Sequence, residues 1–166
     1  MIEINNDNYY NIVNHILKNE EFNKTKQMEH HGISRYDHSL KVSYYSYKVA
    51  KLLKLDYEET ARAGLLHDFF LSYKERDAKE RIVSTFNHSK KAVENATALF
   101  NITPKGIDII KTHMFPLNMT IPRYAESWVV NIVDKVVGTM EFFKKFKYKF
   151  SYLVNLYLIF LINSGK

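Results

Sequence analysis

Turn signals are scarce in this chain: five glycines and three prolines punctuate 166 residues. Sheet folds of this length need a turn signal about every 8–12 residues, so a chain this poor in glycine and proline is expected to be all-α. With apolar residues at 46%, a chain of this size can bury about 70% of its unfolded surface around one core. One domain over residues 1–166 is the expectation, and no linker, internal repeat or low-complexity segment interrupts it.

Helical spacing of apolar residues locates the elements. Asp7 is placed to cap a first helix carrying Tyr9, Ile12, Val13, Ile16 and Leu17. A charged connector follows over residues 20–29, then His30-His31-Gly32 and a second helix over 36–54, with Leu40, Val42, Tyr45, Val49, Leu52 and Leu53 read as inward. Asp56 with Glu59 three residues later is a capping-box variant that opens a third helix ending at His67-Asp68. Residues 69–87 read as a loop or short solvated helix, after which His88 opens a fourth helix with Ala92, Val93, Ala96 and Leu99. Thr103 caps and Pro104 starts a fifth, ending at His113. A loop with Pro116 and Pro122 leads to a sixth over 125–145, where Trp128, Val129, Ile132, Val133, Val136 and Val137 surround Asp134. The apolar stretch around 148–163 falls short of the roughly 20 residues a membrane span needs, so a docked helix or a homo-oligomer contact is expected there.

Chemistry concentrates at Gly64-Leu65-Leu66-His67-Asp68. Adjacent side chains on a continuing helix diverge by about 100°, but at a fraying last turn both can swing to one side. Taken alone, the pair also fits a core histidine followed by a solvent-facing aspartate. Further histidines, His38, His88 and His113, fall at or near expected helix ends, and Asp134 sits in an apolar helix where an ionised carboxylate requires a cationic partner. A basic side chain or a metal would satisfy Asp134 equally. Because the chain has no cysteine, any metal must be held by His, Asp and Glu.

In order along the chain, His38, His67-Asp68, His88, His113 and Asp134 make a pattern that resembles the HD superfamily of metal-dependent phosphohydrolases. The local contexts Tyr36-Asp-His38-Ser-Leu, Gly64-Leu-Leu-His67-Asp68, Asn87-His88-Ser89, Lys111-Thr-His113-Met-Phe-Pro and Ile132-Val-Asp134-Lys135 carry the resemblance over residues 32–141. It is closest in phrasing to small stand-alone bacterial HD proteins. The resemblance implies a helical HD domain in which His38, His67, Asp68 and Asp134 hold one divalent ion. His88 and His113 match the added histidines of the two-metal branch, with Asp68 bridging; Fe, Mn, Mg, Zn, Ni and Co are not distinguished. Two such ions can share a hydroxide that attacks phosphorus, which makes Asp68 and His67 the implied catalytic pair. Many two-metal relatives carry a lysine three residues after the aspartate, where this chain has Leu71. Lys135, Arg35, His31 and Arg123 are the candidates by position for holding a substrate phosphate, with His30 weaker.

The implied activity is hydrolysis of a phosphomonoester or phosphodiester of a nucleotide or other small phosphorylated metabolite. A di-iron oxygenase, as in myo-inositol oxygenase and its relatives, resembles the same ligand scaffold, and a non-catalytic regulatory module is a third reading. The formal charge of +6 suits an anionic substrate, and no stable nucleic-acid partner is expected. The absence of cysteine fits a reducing compartment, and the opening residues, with Glu3, Asn5, Asn6 and Asp7, lack a basic-then-apolar leader. A cytoplasmic location without a membrane span is the expectation.

Overall fold

The computed structural model describes the backbone of residues 6–30, 33–71 and 78–164, and the side chains of these except at 29–30, 78–86, 145, 148–151 and 153–164. It is all-α apart from one minimal hairpin. The helices are α1 (Asp7–Leu17), α2 (Glu20–Asn23), α3 (Arg35–Leu52), α4 (Tyr57–Leu66), α5 (Ala78–Leu99), α6 (Pro104–Thr112) and α7 (Ala125–Ser164). Two-residue strands β1 (Glu29–His30) and β2 (Ile33–Ser34) pair antiparallel, Glu29 opposite Ser34. Among the described residues no helix is long and apolar enough to cross a membrane.

The core runs from Tyr9, Val13 and Ile16 of α1 through Val42 and Tyr47 of α3 and Leu65 and Leu66 of α4 to Ile109 and Ile110 of α6. Helices α3 and α4 make the closest pair, and the reason is small side chains at their crossing. A Cβ on Gly64 would lie 3.3 Å from the Ser43 Cα, at the tight end of normal contact. Ser43 Oγ accepts from the Tyr9 hydroxyl at 2.7 Å and donates to Ala61 O at 2.7 Å, so the buried hydroxyls tie α1, α3 and α4 together. This crossing corrects the expected inner face of α3. Ser43, Ser46, Tyr47 and Ala50 are buried together with the expected Leu40 and Val42, whereas Tyr45, Leu52 and Leu53 are exposed; at the Gly64 crossing the contact distance selects the small Ser43.

Several boundaries differ from the sequence reading. Asn6, not Asp7, caps α1, its Oδ1 accepting from Tyr9 N at 3.0 Å. The charged connector contains α2 and a 3-10 turn over Lys24–Gln27, held by Asn19 as cap and by the fully buried Phe22. Helix α3 ends where Lys54 turns left-handed (φ 57°). Leu55 N then bonds Ala50 O and Lys54 N bonds Lys51 O, the paired closure of a Schellman end. His88 does not open a helix: it lies well inside α5, whose span contains neither glycine nor proline. Residues 125–145 and 148–163 likewise belong to one 40-residue helix, α7, about 60 Å long.

The expected capping residues Asp56 and Thr103 are both in place, accepting from Glu59 N (3.1 Å) and Gly106 N (3.1 Å). Buried Glu59 joins them, taking bonds from Thr103 Oγ1 at 2.6 Å and Arg62 Nε at 3.1 Å. Nearby, Lys105 bonds Glu126 Oε1 at 3.0 Å and Asp56 Oδ2 at 3.2 Å. Partial burial raises the pKa of both carboxyls, but Lys105 and backbone N–H donors outweigh it and leave each below its ordinary 3.8 or 4.5. The bond to Glu126, with that to Asp56, raises Lys105 above 10.5. Depressed acids stabilise the fold above their unfolded pKa values and lose that contribution as pH falls; the raised lysine keeps its contribution until pH exceeds 10.5. Lys105→Met is therefore expected to lower stability at pH 7 by about 0.2–1 kcal/mol and to have much less effect near pH 3, as checked by urea unfolding at both values.

Candidate metal centre

Helix α4 ends at Leu66, leaving His67 as its C-cap in helical conformation and Asp68 in the turn beyond. His67 Nδ1 donates to Gly64 O at 2.8 Å, satisfying one carbonyl that a helix end leaves open. That bond places the proton on Nδ1 and presents the Nε2 lone pair inward. Helix α6 repeats the device: its C-cap His113 donates from Nδ1 to Ile110 O at 2.8 Å. Both rings are essentially fully buried, and Asp68 is 3% exposed.

The turn after α6 is held from α7. Asn131 Nδ2 donates to His113 O at 2.6 Å and Phe115 O at 2.9 Å, and Lys135 Nζ donates to His113 O at 3.1 Å. One turn further along the same face, Asp134 Oδ1 lies 3.0 Å from His38 Nε2 and 3.5 Å from His67 Nε2. Burial raises the Asp134 pKa, but the bond from His38 and the neighbouring imidazoles hold it far below the usual carboxylate range. On the other side of the ring, His38 Nδ1 bonds Glu141 Oε2 at 2.8 Å, and Lys41 Nζ bonds Glu141 Oε1 at 2.6 Å. Burial lowers the His38 pKa, yet its two carboxylate partners raise it to about 9.

Asp68 divides its oxygens between two groups of imidazoles. Oδ1 is 3.4 Å from His88 Nε2 and 3.5 Å from His113 Nε2, while Oδ2 is 3.9 Å from His67 Nε2. The His88 and His113 Nε2 atoms face each other at 3.0 Å, an approach that requires a proton or a cation between the lone pairs. Burial lowers the His113 pKa, but Asp68 raises it more. His88 is also stacked on Phe70 at 5.2 Å, and the Arg35 guanidinium lies 3.8 Å from that same ring, with Nη1 donating to Phe70 O at 2.5 Å.

The donor set fits a metal. Ligand atoms of His38, His67 and Asp134 lie within 4.8 Å of one another, as do those of His67, Asp68 and His113, so each group could hold an ion. His67 Nε2, common to both groups, is buried without a hydrogen-bond partner, the mark of an atom waiting for a ligand. Carbonyl and carboxylate partners on the far nitrogens of His67, His113 and His38 fix the ring orientations, as outer partners do around metal-bound histidines.

All six sequence-identified ligand candidates thus converge, from five helices and the turn after α4. The phosphate-binding candidates do not fare alike. Arg35 is 7% exposed and sits beside the centre. Lys135 is tied to the carbonyl of His113, and Arg123, its backbone N bonded to Asp108, lies two positions before α7, whose first residue is about 14 Å of helix rise from Asp134. His31 lies outside the described residues, as does the side chain of His30. Sequence reasoning missed Glu141 and Asn131. The one available signal was a carboxylate and an amide on the α7 face that carries Asp134, at spacings of seven and three residues.

A family model for the HD domain matches residues 35–138, which include every one of the converging ligands. No curated protein and no solved structure matches the chain significantly. On its sequence over most of the helical body, the chain belongs to the HD domain family.

Proposed function

We propose that this protein is a metal-dependent phosphohydrolase acting on a nucleotide, sugar phosphate or other small phosphorylated metabolite. The observation that carries the reading is the division of Asp68 between two sets of imidazoles, Oδ1 toward His88 and His113 and Oδ2 toward His67. In this reading His38, His67, Asp68 and Asp134 hold one divalent ion, and Asp68, His88 and His113 a second. Such a pair supplies a water-derived nucleophile at neutral pH and neutralises phosphoryl oxygens. The chain's own residues position it: Glu141 and the helix-end carbonyls Gly64 O and Ile110 O fix the three ring orientations, and Asn131 fixes the end of α6.

Arg35 supports a phosphate ester. It is a buried cation whose Nε has no hydrogen-bond partner, stacked on the ring that also packs on His88. It takes the place of the lysine absent at Leu71, as a charge-assisted donor to a phosphate oxygen. Arg35→Ala is expected to lower kcat/KM by about 10–100-fold, mainly through KM, with bound metal retained; Arg35→Lys restores only part, because a single ammonium lacks the planar fork. Unchanged kcat/KM in a folded Arg35→Ala protein would leave the residue a packing role only. The reading as a whole is tested by metal analysis of the purified protein together with a screen of phosphorylated metabolites, with and without added manganese. Phosphate release that depends on metal is the expected result. A mixed-valent di-iron centre that consumes dioxygen without releasing phosphate would move the assignment to the oxygenase branch.

A further inference from the structure

The charge of the chain is concentrated at one end. After Glu141 the charged residues are Lys144, Lys145, Lys147, Lys149 and Lys166, all basic, which leaves 19 basic against 18 acidic residues in the first 141. Thus five of the six net positive charges belong to residues 142–166, and four of them lie within six positions on α7. These lysines are interleaved with aromatics, and residues 150–162 follow with no charge at all.

The same helix presents an apolar surface away from the body. Its inner face packs through Val130, Val137 and Glu141, which are buried. On the opposite face Trp128, Ile132, Val136, Met140 and Phe143 recur at steps of four and three and are 40–65% exposed. Phe142 beside them and Tyr152 further along are 58% and 65% exposed. Large apolar side chains left this exposed in a row along one helix mark an interaction surface.

From these two observations we propose that α7 docks the protein on the surface of an anionic lipid bilayer, its outer stripe in the headgroup–acyl boundary and its lysines on the phosphates. A basic helix with one aromatic and aliphatic stripe is the form that lies in the interface plane. The run 150–162 corresponds to about 20 Å of helix, short of the roughly 30 Å hydrocarbon thickness, so the mode is surface attachment and not a crossing. A second copy of the chain is the poorer occupant. The acidic residues of α7 are Glu126, Asp134 and Glu141, and each is already bonded within its own chain, to Lys105, to His38, and to His38 and Lys41. Pairing two such helices would bring their lysine clusters together with no carboxylate on α7 to meet them. This inference is independent of the reaction at the metal centre.

The test is co-sedimentation of the full chain with vesicles of phosphatidylcholine alone and with added phosphatidylglycerol, over a range of salt. Binding to the anionic vesicles only, weakening as salt rises, is the expected result. Replacing Lys144, Lys145, Lys147 and Lys149 together with glutamine should weaken it on the order of 1,000-fold, and Phe142→Ser with Phe143→Ser by about tenfold or more. Circular dichroism checks that each variant is folded, and the salt series on the unaltered chain carries the test should a variant fail that check. Three results would overturn the proposal: no binding to either vesicle, equal binding to both, or capture of a single-stranded oligonucleotide with vesicles left unbound. A concentration-dependent dimer in sedimentation velocity, abolished by the phenylalanine pair and without vesicle affinity, would assign the stripe to a second copy instead.

Discussion

Asp68→Ala is expected to release metal and to lower kcat/KM on any phosphorylated substrate by at least about 1,000-fold, the largest effect of any single side chain here. Asp68 is the carboxylate that faces both groups of imidazoles. Its Oδ1 lies 3.4 Å and 3.5 Å from His88 and His113, and its Oδ2 faces His67 at 3.9 Å. Removing it leaves the close His88–His113 pair, 3.0 Å apart, without the carboxylate that stabilises positive charge between them. The folded protein should survive, because the rings keep their helix-end bonds to Gly64 O and Ile110 O. Metal content by mass spectrometry and steady-state kinetics on one preparation decide the matter. An Asp68→Ala protein that retained both ions and most of its phosphatase activity would falsify the two-metal reading. Retention of one ion with partial activity would reduce it to the His38, His67 and Asp134 position alone.

Gly64→Val is expected to lower stability by about 3 kcal/mol, with loss of metal affinity alongside. The first added carbon would already stand 3.3 Å from the Ser43 Cα and 3.7 Å from Val130 Cγ2. Two more methyl groups have no room without parting α3 from α4, and overpacking of this kind costs about 1–3 kcal/mol, with the β-branch adding its helix penalty. Because α3 carries His38 and α4 ends in His67, parting the helices also parts two ligands. Thermal unfolding with and without added metal separates the two effects: the variant should be less stable in both conditions and should gain less from metal. A Gly64→Val protein as stable as the parent and equally stabilised by metal would show that the crossing is loose.

What could be read in advance was local. The caps at Asp56 and at Thr103-Pro104 and the helix ends at His67 and His113 are each expressed within a few positions of the chain. Glu141 was illegible for the opposite reason: its partner His38 is 103 residues away, and nothing next to Glu141 distinguishes it from a surface carboxylate. Asn131 likewise acts on a turn 18 residues upstream. Helix lengths were misjudged where charge was taken as a boundary. In α5 the residues before His88 lack any breaker, and in α7 the lysine cluster does not interrupt the helix. The inner face of α3 was legible at Leu40 and Val42, which are buried, but hydrophobicity also points to Leu52 and Leu53, whereas the close approach at Gly64 selects Ser43.

The unbroken course of α7 fixes a phase relationship along the chain. Asp134 and Glu141, which face the imidazoles, and the exposed stripe that continues to Phe143 are locked at set angles around one axis. Each residue of an α-helix advances by about 100°, so a single residue inserted after Phe143 would turn everything beyond it by that angle while leaving the metal ligands where they are. An insertion of seven would bring the lysine run beyond Phe143 back within about 20° of its original alignment with the metal ligands. The spacing between metal centre and lysine run can therefore change in evolution by whole heptads far more readily than by one residue.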